Sequence, residues 1–217
     1  MLTNSRLLSL ICFMLPTLTV FTSYIISVKL NLVEACIPNI EGCSSISRAG
    51  RNIPVKFFFK PMMFLYAFIL FLFWYKFLEI FKTFKIYEKK FFLFAILSVI
   101  FLILYIFFLG EGKIYNFFRR IGIYIYIFLT VITQFLIIRK IHLSEEKVKK
   151  NFNTNFIKVN YYLSLFLIIS GIIFLPILII KIENFPQIKN IISWNYFLII
   201  QLYFLFCFFM IKKTNST

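Results

Sequence analysis

Four arginines lie in two short segments of a chain that carries most of its positive charge on lysine, and one of these segments also holds three serines. Only six of the 24 Lys and Arg residues are Arg. Guanidinium is a planar fork that binds two oxygens of a phosphate or carboxylate together, which ammonium cannot do. Serine hydroxyls and backbone amides near glycine add neutral donors. The pattern predicts a site for an anionic lipid headgroup, formed by Ser45, Ser47, Arg48, Arg51, Arg119 and Arg120.

Two other roles for these arginines stay open at the level of sequence. They could pair with Glu41 and Glu111 as loop partners and so hold the loops together. They could also extend to lipid phosphates without specificity, with their stems along apolar surface.

Six apolar blocks must position these residues. The chain has 217 residues, 61% of them hydrophobic, with 32 Phe and a mean hydropathy of +0.90. About 20 apolar residues cross a bilayer as a helix, whereas barrel strands would alternate apolar and polar residues. The sequence predicts an all-α membrane protein, a six-transmembrane-helix bundle forming one domain over residues 1–217. The predicted spans are Leu8–Val28, Met62–Ile80, Phe91–Leu109, Ile121–Ile138, Tyr161–Ile180 and Ile191–Ile211.

The charges between the blocks predict the orientation. The net charge is +16, and because the charges lie between apolar blocks, lipid headgroups are a simpler partner than nucleic acid. The positive-inside rule predicts cytoplasmic termini in the cell membrane. The loop from Lys29 to Lys60 would then lie outside, with a short helix capped by Ser44 or Ser45. The basic residues of the predicted cytoplasmic side are Lys82, Lys85, Lys89, Lys90, Arg139, Lys140, Lys147, Lys149, Lys150, Lys158, Lys212 and Lys213.

Four cysteines divide between the spans and the outer loop. Cys12 and Cys207 lie in spans, where they are small apolar groups. Cys36 and Cys43 are seven positions apart in the loop, and either a disulfide or two free thiols fits them. No His or second Cys pair is near, so the sequence predicts neither a metal site nor a cofactor.

Polar groups within the spans are few. Gln134 and Gln201 are predicted to make interhelical hydrogen bonds, and a polar path for a solute is the alternative. The single histidine, His142, falls on the side opposite the serines, so a Ser–His relay is excluded. Glu41 or Glu111 as base, with Ser45 or Ser47 as nucleophile, has no geometry fixed by sequence.

Three segments resemble a known group of membrane proteins. They are Glu41-Gly-Cys-Ser-Ser-Ile-Ser-Arg-Ala-Gly-Arg51, Phe57-Phe-Phe-Lys-Pro-Met62 and Arg119-Arg-Ile-Gly-Ile-Tyr124 with Thr130 and Gln134 after it. The chain resembles the DRAM/FRAG/SFK group of six-span proteins, which includes the Cwh-type N-terminal domain. The resemblance implies a lipid-related role and no settled catalytic residues.

Three functions are therefore expected in descending order. The first is a protein that binds or organises a membrane lipid at its outer face without catalysis. The second is an enzyme that modifies a lipid headgroup, and the third is a small-solute transporter or channel.

Overall fold

The computed structural model describes residues 2–179 and 186–212 and is helical throughout its regular structure. Six of its helices are long and apolar enough to cross a membrane, as a multi-pass membrane protein requires. These are α1 (Leu2–Lys29), α3 (Val55–Thr83), α4 (Lys89–Phe107), α5 (Lys113–Leu143), α7 (Thr154–Ile179) and α8 (Pro186–Met210). Two short helices, α2 (Ile46–Arg51) and α6 (Glu145–Val148), lie in the connections.

Five of the six long helices are longer than the apolar blocks that predict them, and α4 has the same length as its block. Helix α3 begins at Val55 rather than at Met62, so the first long loop ends at Pro54 and not at Lys60. Helix α5 begins at Lys113, eight residues before the predicted Ile121. Apolar composition marks only the hydrocarbon-crossing part, whereas the i→i−4 hydrogen bonds continue into the polar boundary. Ile180, the end of the predicted fifth span, lies outside the described residues, as does Lys213.

The six long helices pack as a closed ring in chain order. Each packs against the next, and α8 packs back against α1. Arg6 Nε near the start of α1 donates to the carbonyl of Phe208 near the end of α8, at 3.2 Å. We call this end of the bundle the terminal end. The opposite end, which holds residues 30–54, is the loop end.

The interior of the ring is filled by large side chains. Trp74, Trp194, Tyr66 and Tyr203 are each less than 2% exposed. The outer surface of the helices is apolar instead of charged, as Phe68 at 60% exposure illustrates. A soluble monomer rarely exposes so much contiguous apolar surface, and a hydrocarbon environment accounts for it.

Candidate anion site at the loop end

The loop between α1 and α3 is fastened to the bundle by backbone carbonyls. Cys36 and Cys43 form a disulfide, and Tyr24 Oη donates to the carbonyl of Cys36 at 2.9 Å. Trp194 Nε1 donates to Ser44 O at 2.8 Å, and Asn190 Nδ2 donates to Gly42 O at 2.7 Å. These bonds join the first loop to the first and last spans and fix its position.

Gly42 lies in the turn at which the loop meets α8. Its φ is +67°, and a Cβ there would collide with the backbone carbonyl of Gln187. Only glycine adopts this conformation and permits this approach without strain. The turn ends beside α2, and so it sets where the serines and arginines of that helix lie.

Helix α2 is capped by one of the two predicted serines. Ser45 Oγ accepts a hydrogen bond from the backbone N–H of Arg48 at 3.2 Å. Ala49 is buried, and its carbonyl accepts from Ser27 Oγ at 2.6 Å. The helix is therefore held against α1 through one face. Ser45 serves its structure rather than facing a ligand.

Ser47, in the first turn of α2, contacts the end of α4. Its Oγ lies 3.1 Å from the Oη of Tyr105, which is 2% exposed. Tyr105 lies at the end of the third span, far from α2 in sequence. Tyrosine is common at membrane boundaries, so composition alone did not single it out.

Arg119 is the buried cation of this region. It is 8% exposed, and its Nη1 donates to Gly110 O at 2.9 Å while its Nη2 donates to Asn116 Oδ1 at 2.7 Å. Both acceptors are neutral. Asn116 precedes Arg119 by three residues on α5, and this spacing brings two side chains together on one face of a helix. The spacing can be read from the sequence.

Arg51 of α2 is close enough to Arg119 to act on it electrostatically, as are Tyr105, Arg120 and Glu111. Arg51 is half-buried, and its Nε is buried with no hydrogen-bond partner among the described residues. A buried donor without a partner costs about 1–3 kcal/mol. Two guanidinium groups near each other, one with an unused donor, form a place where an anion would be favourable.

The remaining predicted residues divide between the surface and the loops. Arg48 and Arg120 are exposed. Glu41 Oε1 accepts from the backbone N–H of Ile37 at 2.9 Å, and Glu111 is exposed. Within residues 2–179 and 186–212, neither carboxylate forms an ion pair with any of the four arginines. Ser47 thus contacts Tyr105, and Arg51 and Arg120 lie within electrostatic range of the buried Arg119.

The polar residues of the interior bind other helices. Gln134 Nε2 donates to Ile200 O at 3.3 Å, which joins α5 to α8. Tyr66 Oη and Tyr126 Oη lie 3.1 Å apart across the ring, and Gln201 contacts Tyr66. Such bonds are the usual use of polar groups between membrane helices.

His142 lies at the terminal end, away from Ser47. Its ring stacks on Tyr161 with centroids 4.9 Å apart, and its Nδ1 lies 3.7 Å from a carboxylate oxygen of Glu145. In the described part of the chain, no three His, Cys, Asp or Glu side chains group as metal ligands would.

Comparison with known proteins finds no matching family model, curated protein or solved structure.

Proposed function

We propose that this protein binds the anionic headgroup of a membrane lipid at the loop end, without catalysing a reaction on it. The observation that carries the proposal is the buried guanidinium of Arg119 within electrostatic range of Arg51, together with the Nε of Arg51, which has no hydrogen-bond partner among the described residues. Charged groups removed from water are costly unless they are paired. A phosphate oxygen that accepts from Arg51 Nε would offset that cost.

The chemistry of the surroundings favours phosphate. The Arg119 guanidinium donates to neutral acceptors and forms no ion pair within residues 2–179 and 186–212. The hydroxyls of Ser47 and Tyr105 lie 3.1 Å apart and add neutral donors. The site lies near the end of α4 and the start of α5, and the ends of membrane-spanning helices come near the lipid headgroups.

Binding without catalysis is supported by what surrounds the serine hydroxyl. Ser47 Oγ has a tyrosine as its neighbour, and the pKa of a phenol is about 10, too high for a general base at neutral pH. A lipid-modifying enzyme would need a base within reach of that hydroxyl.

We further propose that both termini are cytoplasmic and that the protein lies in the cell membrane. The larger share of basic side chains lies at the terminal end, from Lys82 to Lys90 and from Arg139 to Lys158. By the positive-inside rule, this end faces the cytoplasm and the loop end lies outside. The resemblance to the DRAM/FRAG/SFK group favours the same lipid-related role.

The test compares two arginines of the same helix. Arg51→Gln removes the half-buried guanidinium, and Arg48→Gln removes an exposed one. The two variants therefore lose the same amount of positive charge. Purified protein is titrated with phosphatidylglycerol and with phosphatidylcholine, and bound lipid is counted by native mass spectrometry. A charge-assisted hydrogen bond contributes about 1.5–3 kcal/mol, so we expect Arg51→Gln to weaken phosphatidylglycerol binding at one site about tenfold or more.

Arg48→Gln is expected to bind as the wild type does. Equal binding by both variants and the wild type would end the proposal, as would an equal loss in both. Melting curves of the three proteins control for folding.

A further inference from the structure

A second basic site lies at the terminal end, remote from the one described above. A partly open cavity of about 160 Å³ separates the start of α4 from the end of α5. Its basic lining residues are Lys90, Arg139 and Lys140. One water occupies roughly 30 Å³ in the liquid, and pockets for drug-sized molecules begin near 300 Å³. The cavity therefore has room for a phosphate group but not for a whole large ligand.

The positive charges of this cavity are only partly compensated. Glu88, which precedes α4, binds Lys140 Nζ through one carboxylate oxygen and Lys90 Nζ through the other, each at 2.7 Å. Arg139 is exposed and forms no ion pair within residues 2–179 and 186–212. Three cations thus share one carboxylate, and the cavity keeps a positive charge. Glu88 holds two ammonium groups in place on the same side as Arg139.

The rest of the lining is apolar. Leu136 and Leu143 belong to the last turns of α5, and Leu143 is 72% exposed. An apolar edge next to a basic cavity, at the level where two spans end, suits a molecule with a charged head and a hydrocarbon body. A soluble anion would gain no binding free energy from contact with that apolar edge. Basic pockets between membrane helices bind the headgroups of anionic lipids by this combination.

We propose that the cavity between α4 and α5 binds the phosphate of an anionic phospholipid through Lys90, Arg139 and Lys140, with the acyl region along Leu136 and Leu143. The phosphate accepts from Arg139 and shares the two ammonium groups with Glu88. The proposal is independent of the site at the loop end.

The experiment uses the full chain in detergent. The double variant Arg139→Gln/Lys140→Gln removes two cations from the cavity. Lys147→Gln/Lys150→Gln removes two exposed cations from the same end that do not line it. Native mass spectrometry with phosphatidylglycerol measures the occupancy of each bound lipid. Each basic group near an anionic lipid contributes about a factor of five, so we expect binding about 30-fold weaker in the first variant and near wild type in the second.

Both double variants are repeated in the Arg51→Gln background. A loss that persists there belongs to this cavity, so failure of one site is distinguishable from failure of the other. Inorganic phosphate and glycerol 3-phosphate, added as competitors at millimolar concentration, should leave the bound lipid in place. Displacement by either competitor would overturn the proposal that the ligand is a lipid, and it would assign the cavity to a soluble phosphate. Equal binding by both double variants would overturn the site itself, provided that their melting temperatures match.

Discussion

The indole Nε1 of Trp194 donates a 2.8 Å hydrogen bond to the backbone carbonyl of Ser44, and so the last span holds the first loop. Both residues are buried. Phe21 and Tyr24 of α1 pack on the Trp194 ring, with centroids 5.5 and 5.7 Å away. The serine and arginine side chains of α2 thus depend for their position on a residue 150 positions after Ser44.

Trp194→Phe is expected to destabilise the protein more than Trp74→Phe. Both indoles are buried, but Trp74 Nε1 has no hydrogen-bond partner among the described residues. The two changes remove similar ring area, and only the first leaves a buried carbonyl without its donor. We expect a difference of about 1–2 kcal/mol in the free energy of unfolding, measured by thermal melting in detergent. Equal losses would mean that the bond contributes nothing.

Reduction of the Cys36–Cys43 disulfide is expected to lower the melting temperature. Closing this short loop lowers the conformational entropy of the unfolded chain, which stabilises the folded state by about 2–3 kcal/mol. Melting curves with and without dithiothreitol measure the shift. Cys36→Ser/Cys43→Ser should abolish the sensitivity, whereas Cys12→Ala, at a buried free thiol, should keep it. A wild type that melts alike in both conditions would contradict this role of the disulfide.

Glu88 is expected to make stability depend on pH. The ammonium of Lys140, together with that of Lys90, holds the pKa of the Glu88 carboxyl below its usual range. A lowered pKa means that the carboxylate stabilises the fold fully above the unfolded-state value of about 4.3, and that this stabilisation is lost as the pH falls through the lower folded-state pKa. Because the side chain is 32% exposed, solvent screening keeps the effect small.

The measurement is the melting temperature of the wild type and Glu88→Gln from pH 7 to pH 3. The difference in melting temperature between the two proteins should be largest at pH 7 and should disappear below about pH 4. Glu146→Gln, at an ion pair whose carboxylate side chain is 86% exposed, is the control and should show a smaller gap. A Glu88→Gln gap that is constant across this range would contradict the assigned shift.

Gly122→Ala is expected to force α4 and α5 apart. A Cβ at Gly122 would lie 2.8 Å from the backbone N of Tyr105 and 3.1 Å from the carbonyl O of Phe101, and backbone atoms cannot step aside as a side chain end can. Overpacking of this kind costs about 1–3 kcal/mol, which thermal melting detects. Tyr105 would also shift from Ser47, so phosphatidylglycerol binding should fall.

Gly171→Ala is the matched control for this change. A Cβ there would meet the ring end of the Tyr196 side chain, its Oη at 2.7 Å. Because a side chain end can turn away, we expect a smaller loss of stability. Comparable losses in the two variants would show that the α4–α5 contact has no special tightness.

Much of the fold followed from local sequence, but the helix ends did not. The six helices were predicted, and Ser45 is the helix cap, as one of the two predicted serines. Helices α3 and α5 begin seven and eight residues before the predicted spans, because hydropathy reports contact with hydrocarbon and not the extent of the hydrogen-bonded helix. Of the six side chains predicted for the candidate site, Ser45 caps α2 and Arg48 is exposed, whereas Arg51 and Arg120 lie within electrostatic range of Arg119.

What the sequence by itself determined was the class of molecule: an all-helical chain with six apolar spans, since apolar length and the internal hydrogen bonding of a helix are local properties. Which residues meet was decided by the tertiary structure. The ring order brings Tyr105 to Ser47, brings the buried Arg119 within electrostatic range of Arg51, and places Trp194 where it donates to the carbonyl of Ser44. These pairs join segments far apart in sequence. Their proximity comes from close helix packing, such as that at Gly122, which no local pattern of residues encodes.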